Sequence, residues 1–189
     1  RLPRLLLYEG FLLLPVLGVG SFLFPRITGL PARPGGGKVA VLATATLAVV
    51  GTFFLEAGGW SRAGLLLRAA VVLAVLGWCV PGLWWRRVRG TQAWALRLGL
   101  WSVVLAFPLQ ALWPERLVAL GHVLFTSGFG LVTLAVAARV TDGHSGHREA
   151  AHGRSRWLRW ITWLVLLTMA TRVSADIWPH VQRSHYMYA

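Results

Sequence analysis

Long apolar runs alternate with short polar connections along the chain, and this pattern predicts its secondary structure. Six runs hold about 20 mostly apolar residues each, the length that an α-helix needs to cross a bilayer. The short segments of alternating polarity that form membrane β-barrels are not seen. The sequence therefore predicts an all-α, polytopic transmembrane helix bundle in which residues 1–189 form one unit, with spans at approximately residues 5–24, 38–57, 63–85, 93–113, 117–140 and 157–178.

Composition agrees with a membrane environment. Hydrophobic residues make up 56% of the chain and charged residues 13%, about half of the roughly 25% typical of a soluble domain. Eleven tryptophans add to the apolar content, and several of them are predicted near helix ends, where they form an aromatic belt. Cys79 is the single cysteine, which excludes a disulfide-rich secreted domain.

The net charge of +13 is interpreted as a signal of topology. Its 19 basic residues, all arginine except Lys38, cluster between the apolar runs and not along one helix face. A nucleic-acid partner is therefore not expected. The connections after spans one, three and five are richest in arginine, so the positive-inside rule predicts that they are cytoplasmic. The partner expected from composition is the lipid bilayer.

Ionisable side chains inside apolar runs are candidates for function because they are costly in the bilayer core. Glu9 lies inside the first span, and two interpretations stay open for it: a functional group, or an interfacial residue paired with Arg4. Glu56 is expected to be interfacial. Arg68 and Arg97 are expected to extend their guanidinium groups towards the headgroups.

His122 lies among apolar residues near the start of the fifth span. A neutral imidazole is a common ligand of haem and copper, but a lone helical histidine is more often hydrogen-bonded in a core. Nearby small residues indicate either close helix packing, which we favour, or space for a flat cofactor. These residues are Gly121, Ser127, Gly128 and Gly130.

Two further polar groups end the fifth and sixth spans. Arg172 and Asp176 are four residues apart and therefore share one helix face. Three interpretations stay open for them: an interfacial ion pair, a polar relay, or an anchor for an acidic group of a cofactor. His144 lies in the segment after residue 140, which is predicted to be a loop. His147 and His152 follow it, and a solvated loop is the default interpretation for both.

No Walker loop, HExxH or CxxC motif occurs in the sequence.

Three stretches resemble the NnrS family of polytopic membrane proteins. The main one starts at Gly121-His122 and passes through Gly128 and Leu134-Ala135-Val136 to Arg139, and it ends in Gly143-His144-Ser145-Gly146. The second runs from Thr171-Arg172 through Asp176 to His185 and Ala189. The third is a weaker match, from Glu9-Gly10-Phe11 to Phe24-Pro25-Arg26.

The resemblance implies about twelve helices in the whole protein, of which this chain would be the C-terminal half without the last helix. It implies an integral protein of the bacterial inner (cytoplasmic) membrane that is associated with haem and copper and with the nitric oxide (nitrosative stress) response. His122, Arg139, His144, Arg172 and His185 are the implied cofactor-binding residues, with His122 and His144 as metal ligands. No catalytic chemistry is implied.

Two hypotheses for function follow from the sequence. The first is a haem- or copper-binding membrane protein of this family, whose ligands are completed by further transmembrane helices. The second is a non-catalytic accessory or structural subunit of a larger membrane complex. A transporter is less favoured because the sequence has no clear internal repeat and no pair of broken helices.

Overall fold

The computed structural model describes residues 2–33, 35–145 and 153–178. Within these residues the chain is helical and contains no strand, which confirms the all-α prediction. Six helices are long and apolar enough to cross a membrane: α1 (Leu2–Thr28), α2 (Lys38–Ala57), α3 (Ser61–Cys79), α4 (Thr91–Leu112), α5 (Pro114–His144) and α6 (Arg156–Ile177). We call the end of the bundle that holds the α1–α2, α3–α4 and α5–α6 connections the Arg-rich end.

The third helix ends at Cys79, earlier than the predicted end at Trp85. Pro81 disfavours helical geometry at the residue before it, and Gly82 has a φ of +86°, so the chain turns here. The turn brings Trp84 back onto α3, where its indole Nε1 donates a hydrogen bond to the Leu73 carbonyl at 3.0 Å. Trp84 is therefore a buried packing residue and not part of an aromatic belt.

Helix α4 forms the centre of the bundle and contacts α1, α3, α5 and α6. Of the 18 consecutive residues that are most apolar in α4, 56% are buried. In the corresponding stretch of α6 only 11% are buried. α6 contacts α5 and α4 along one side, and its other side carries exposed Trp157, Trp160 and Leu167. Such a surface suits contact with lipid or with other helices.

Two glycines bring α4 and α5 into close contact. A Cβ added at Gly99 would lie 2.9 Å from the Gly128 carbonyl oxygen, and one added at Gly128 would lie 2.9 Å from a methyl group of Val103. The packing interpretation is thus confirmed for Gly128. A Cβ added at Gly121 would meet no atom within 4 Å, so Gly121 takes no part in this contact.

We expect Gly99→Ala to lower the free energy of unfolding by about 1–3 kcal/mol, because backbone atoms of α5 cannot move away as a flexible side chain could. Gly51→Ala is the matched control, since the added Cβ would meet no atom within 4 Å and helix propensity favours alanine. Unfolding of both variants in detergent checks the expectation. Equal stability of the two variants would contradict this account of the α4–α5 contact.

Two segments of π-helix interrupt the α-helical geometry, Leu6–Gly10 in α1 and Val123–Phe129 in α5. Wide turns of this kind occur often at functional sites. The second one divides the contacts of α5, because Leu117–His122 packs mainly on α6 and Gly130–His144 mainly on α4. Each π segment contains or adjoins an ionisable residue, Glu9 and His122 respectively.

Candidate functional site

A buried ion cluster joins α1, α2 and α3 at the end of the bundle opposite the Arg-rich end. Arg68 of α3 has a solvent exposure of 0%. Its Nη1 donates to Glu9 Oε2 at 2.5 Å, its Nη2 donates to Glu56 Oε2 at 2.9 Å, and its Nε donates to Thr52 Oγ1 at 3.0 Å. Three nitrogens of one guanidinium group therefore reach oxygens on two other helices.

Aromatic rings complete the surroundings of this cation. The guanidinium carbon lies 4.1 Å from the ring centroid of Phe53 and 5.3 Å from that of Phe107. The Thr52 hydroxyl donates to the Val49 carbonyl at 2.6 Å, so its oxygen is free to accept from Arg68. Buried charges need such complete pairing, because an unpaired charge away from water is strongly unfavourable.

The expectations for Arg68 and Glu56 were therefore wrong. Arg68 does not extend to the headgroups, and Glu56 is only 5% exposed and faces Arg68 inside the bundle, not the membrane surface. Long helical side chains lean towards the helix N-terminus, and the N-terminus of α3 lies beside the C-terminus of α2. Arg68 is thereby directed at Glu56. For Glu9, the observed partner is Arg68 and not Arg4.

Contact of Arg97 with the headgroups stays a prediction, but the structure shows the direction of its side chain. Its Nη2 donates to the main-chain carbonyl of Arg86, in the connection between α3 and α4. The side chain thus extends towards the Arg-rich end.

A second polar group lies between α5 and α6, at the same end of the bundle as the Arg68 cluster. His122 Nε2 and Asp176 Oδ2 face each other across the two helices at 3.8 Å. Both atoms are buried and have no hydrogen-bond partner within the part of the chain that the structure describes. The gap is longer than a hydrogen bond of 2.7–3.2 Å. The two atoms therefore face each other without a direct hydrogen bond.

Arginines flank this pair. Arg116 Nη1 donates to the main-chain carbonyl of Asp176 at 3.0 Å, which ties the end of α6 to the start of α5. Arg172 lies one turn before Asp176 on α6 and is half-buried. The sequence indicated Arg172 and Asp176 as a polar face, but it did not identify His122 as the residue opposite that face.

Arg139 and His144 lie at the Arg-rich end. Together with Arg26 of α1 they line a shallow pocket of about 220 Å³. α5 continues through His144, so the predicted loop there is a helical turn. His144 Nδ1 lies 2.8 Å from the Val140 carbonyl and must donate to it, which leaves Nε2 of a neutral ring as the lone-pair donor.

The predicted site residues do not form one site. His122 and His144 are 22 residues apart on the same helix, and at 1.5 Å per residue this separates them by ~33 Å. One metal ion cannot bind both. His185, like His147 and His152, lies outside the described residues. Across residues 2–33, 35–145 and 153–178, no three His, Cys, Asp or Glu side chains come together as a metal site.

The fold and the intramembrane polar groups define a polytopic helical membrane protein. The model of the family described as "NnrS protein" matches residues 10–189. The chain therefore belongs to the NnrS family. Comparison with curated proteins and with solved structures gives no match.

Proposed function

We propose that this protein binds copper or haem within the membrane and acts in the nitric oxide response associated with its family. The observation that carries the proposal is the pair of buried atoms His122 Nε2 and Asp176 Oδ2, which face each other at 3.8 Å and have no hydrogen-bond partner among the described residues. Buried polar atoms without a partner are rare in folded proteins and require an explanation. A ligand between the two atoms supplies one.

The donor set fits a copper ion. Imidazole nitrogen and carboxylate oxygen are ligands of Cu(II), and His122 and Asp176 would hold such an ion between α5 and α6. The pair alone is an incomplete ligand set. For haem, the imidazole of His122 would hold the iron, and the cationic side chain of Arg116 beside the pair would offset the negative charge of the propionates.

Each residue of the site has a defined task. His122 provides a lone pair in its neutral form, and Asp176 offsets the positive charge of a bound cation. Arg116 holds the last turn of α6 through the Asp176 carbonyl and so fixes the carboxylate relative to α5. When bound, copper or haem supplies redox chemistry and a coordination position for a small ligand such as nitric oxide.

We place the protein in the bacterial inner membrane, with the Arg-rich end in the cytoplasm. Arg26, Arg86, Arg87 and Arg89 are among the basic residues at that end, and the positive-inside rule supports this orientation. The copper or haem site would then lie near the periplasmic side, because His122 and Asp176 are at the opposite end.

Protein purified in detergent from cells supplied with copper and iron tests the proposal. We expect a Soret band in the absorption spectrum, or copper in stoichiometric amount by elemental analysis. Absence of both would contradict the cofactor assignment. The apo protein reloaded with Cu(II) controls for metal lost during purification.

A second candidate function is a non-catalytic subunit of a larger membrane complex. It is supported by α6, which is the least buried of the six helices and exposes large apolar side chains such as Trp160 and Leu164. Under this alternative, His122→Ala would leave both assembly and absorption spectrum unchanged.

A further inference from the structure

A basic pocket lies between the starts of α4 and α6 at the Arg-rich end, about a helix length from His122 and Asp176. It has a volume of about 730 Å³. Its charged lining consists of Arg89, Arg154 and Arg159, and its apolar lining includes Trp94 and Trp163. The cofactor proposal uses none of these five residues.

The pocket has a fixed framework. The Thr91 amide donates to the Gly153 carbonyl at 3.2 Å, which joins the segment before α6 to the start of α4. The rings of Trp94 and Trp163 lie 5.7 Å apart between centroids, at an angle of 55°. Ser155 caps α6 by accepting a hydrogen bond from the Leu158 amide at 3.2 Å. The positions of the arginine main chains are therefore held from both helices.

The three arginines form no ion pair with a carboxylate among the residues that the structure describes. Asp142, the acidic residue near the start of α4, accepts a hydrogen bond from Gln92 Nε2 at 2.6 Å. Three guanidinium groups around one cavity produce a strong positive potential, and an anion would be attracted to it. Arginine is especially suited to phosphate oxygens because of its planar donor geometry.

The apolar half of the pocket indicates which kind of anion fits. Trp163 is 53% exposed, and the same side of α6 continues into exposed Trp160, Leu164 and Leu167. A free phosphate ion would not use these apolar surfaces. A phospholipid would place its phosphate among the arginines and its acyl chains along α6. Basic pockets between membrane helices recognise anionic lipid headgroups in this way.

We propose that the pocket formed by Arg89, Arg154, Arg159, Trp94 and Trp163 is a binding site for the phosphate headgroup of an anionic phospholipid. Bound there, the lipid would connect α4 to α6, which otherwise has few buried residues. The site is independent of any metal or haem. The bound phospholipid would stabilise the contact between α4 and α6.

Native mass spectrometry of the full chain, titrated with phosphatidylglycerol or phosphatidylcholine, tests this proposal. We compare wild type with a pocket variant carrying Arg89→Gln, Arg154→Gln and Arg159→Gln. The control variant carries Arg4→Gln, Arg62→Gln and Arg87→Gln, which removes the same charge from exposed positions outside the pocket. We expect preferential binding of phosphatidylglycerol, weakened on the order of a hundredfold in the pocket variant and little changed in the control variant.

Three results would overturn the proposal: no preference for phosphatidylglycerol, equal weakening in both variants, or full displacement of the lipid by inorganic phosphate. The last result would assign the pocket to free phosphate. If the triple variant cannot be purified, Arg154→Gln alone, at an exposed position before α6, should weaken binding about fivefold. An unchanged affinity in that variant would also contradict the proposal.

Discussion

Arg68→Met is expected to lower the free energy of unfolding by about 3–5 kcal/mol, because it leaves two buried carboxylates without their cation. Glu9 and Glu56 both contact this guanidinium group, and neither lies where water can replace it fully. Methionine keeps part of the apolar volume beside Phe53, so the lower free energy of unfolding would result mainly from the missing positive charge. Thermal or denaturant unfolding in detergent measures it.

Two matched variants make this expectation specific. Arg62→Met changes an exposed arginine of the same helix and should alter stability by no more than about 0.5 kcal/mol. Combining Arg68→Met with Glu9→Gln and Glu56→Gln should recover much of the loss, because no buried charge then remains unpaired. An Arg68→Met variant as stable as Arg62→Met would contradict the role assigned to the cluster.

The number and type of the helices could be predicted from the sequence because each apolar run is as long as a bilayer is thick. That argument uses length and composition alone, and neither depends on which helices are neighbours. The end of α3 was less predictable. Trp84 and Trp85 extend the apolar run, but Pro81 and Gly82 end the helix before them.

The Arg68 cluster could not be predicted from single positions. Each of Glu9, Glu56 and Arg68 lies near a helix end, where an interfacial position is the simpler expectation. Their pairing depends on the contacts among α1, α2 and α3. One signal was available in the sequence: oppositely charged residues near the same predicted end of three consecutive spans, which can reach one another if those spans are adjacent.

The extension of α5 through His144 illustrates a different limit. Asp142, Gly143 and His144 have the polar composition of a loop, and the apolar run ends before them. The helix continues because tertiary contacts support it, including the hydrogen bond from Gln92 to Asp142 at 2.6 Å. Hydrophobic periodicity alone does not report such contacts.

His122→Ala is expected to abolish the binding of copper or haem at the α5–α6 site, because alanine removes the only imidazole that faces Asp176 among the described residues. Asp176→Asn keeps the shape of the side chain but removes its charge. We expect it to weaken metal binding, because the neutral amide no longer offsets the positive charge of the bound ion. Elemental analysis and equilibrium titration with Cu(II) measure the two effects.

His144→Ala is the matched control for this prediction. It also removes one imidazole from α5, but ~33 Å away by the helical rise, at the exposed Arg-rich end. Metal at the α5–α6 site should therefore be unaffected. If both the His122→Ala and the His144→Ala variant lost the bound metal to the same extent, the cause would be a general effect on the helix and not the removal of a ligand.

The position of a bound metal relative to His122 is the most direct test of the central claim, that the α5–α6 pair is the cofactor site. X-ray absorption spectroscopy of the copper- or iron-containing protein measures the first coordination shell. We predict imidazole nitrogen at about 2.0–2.1 Å from the metal in the wild-type protein, and no metal with this first shell in the His122→Ala variant. A His122→Ala variant that retains bound metal with an unchanged first shell would contradict the account.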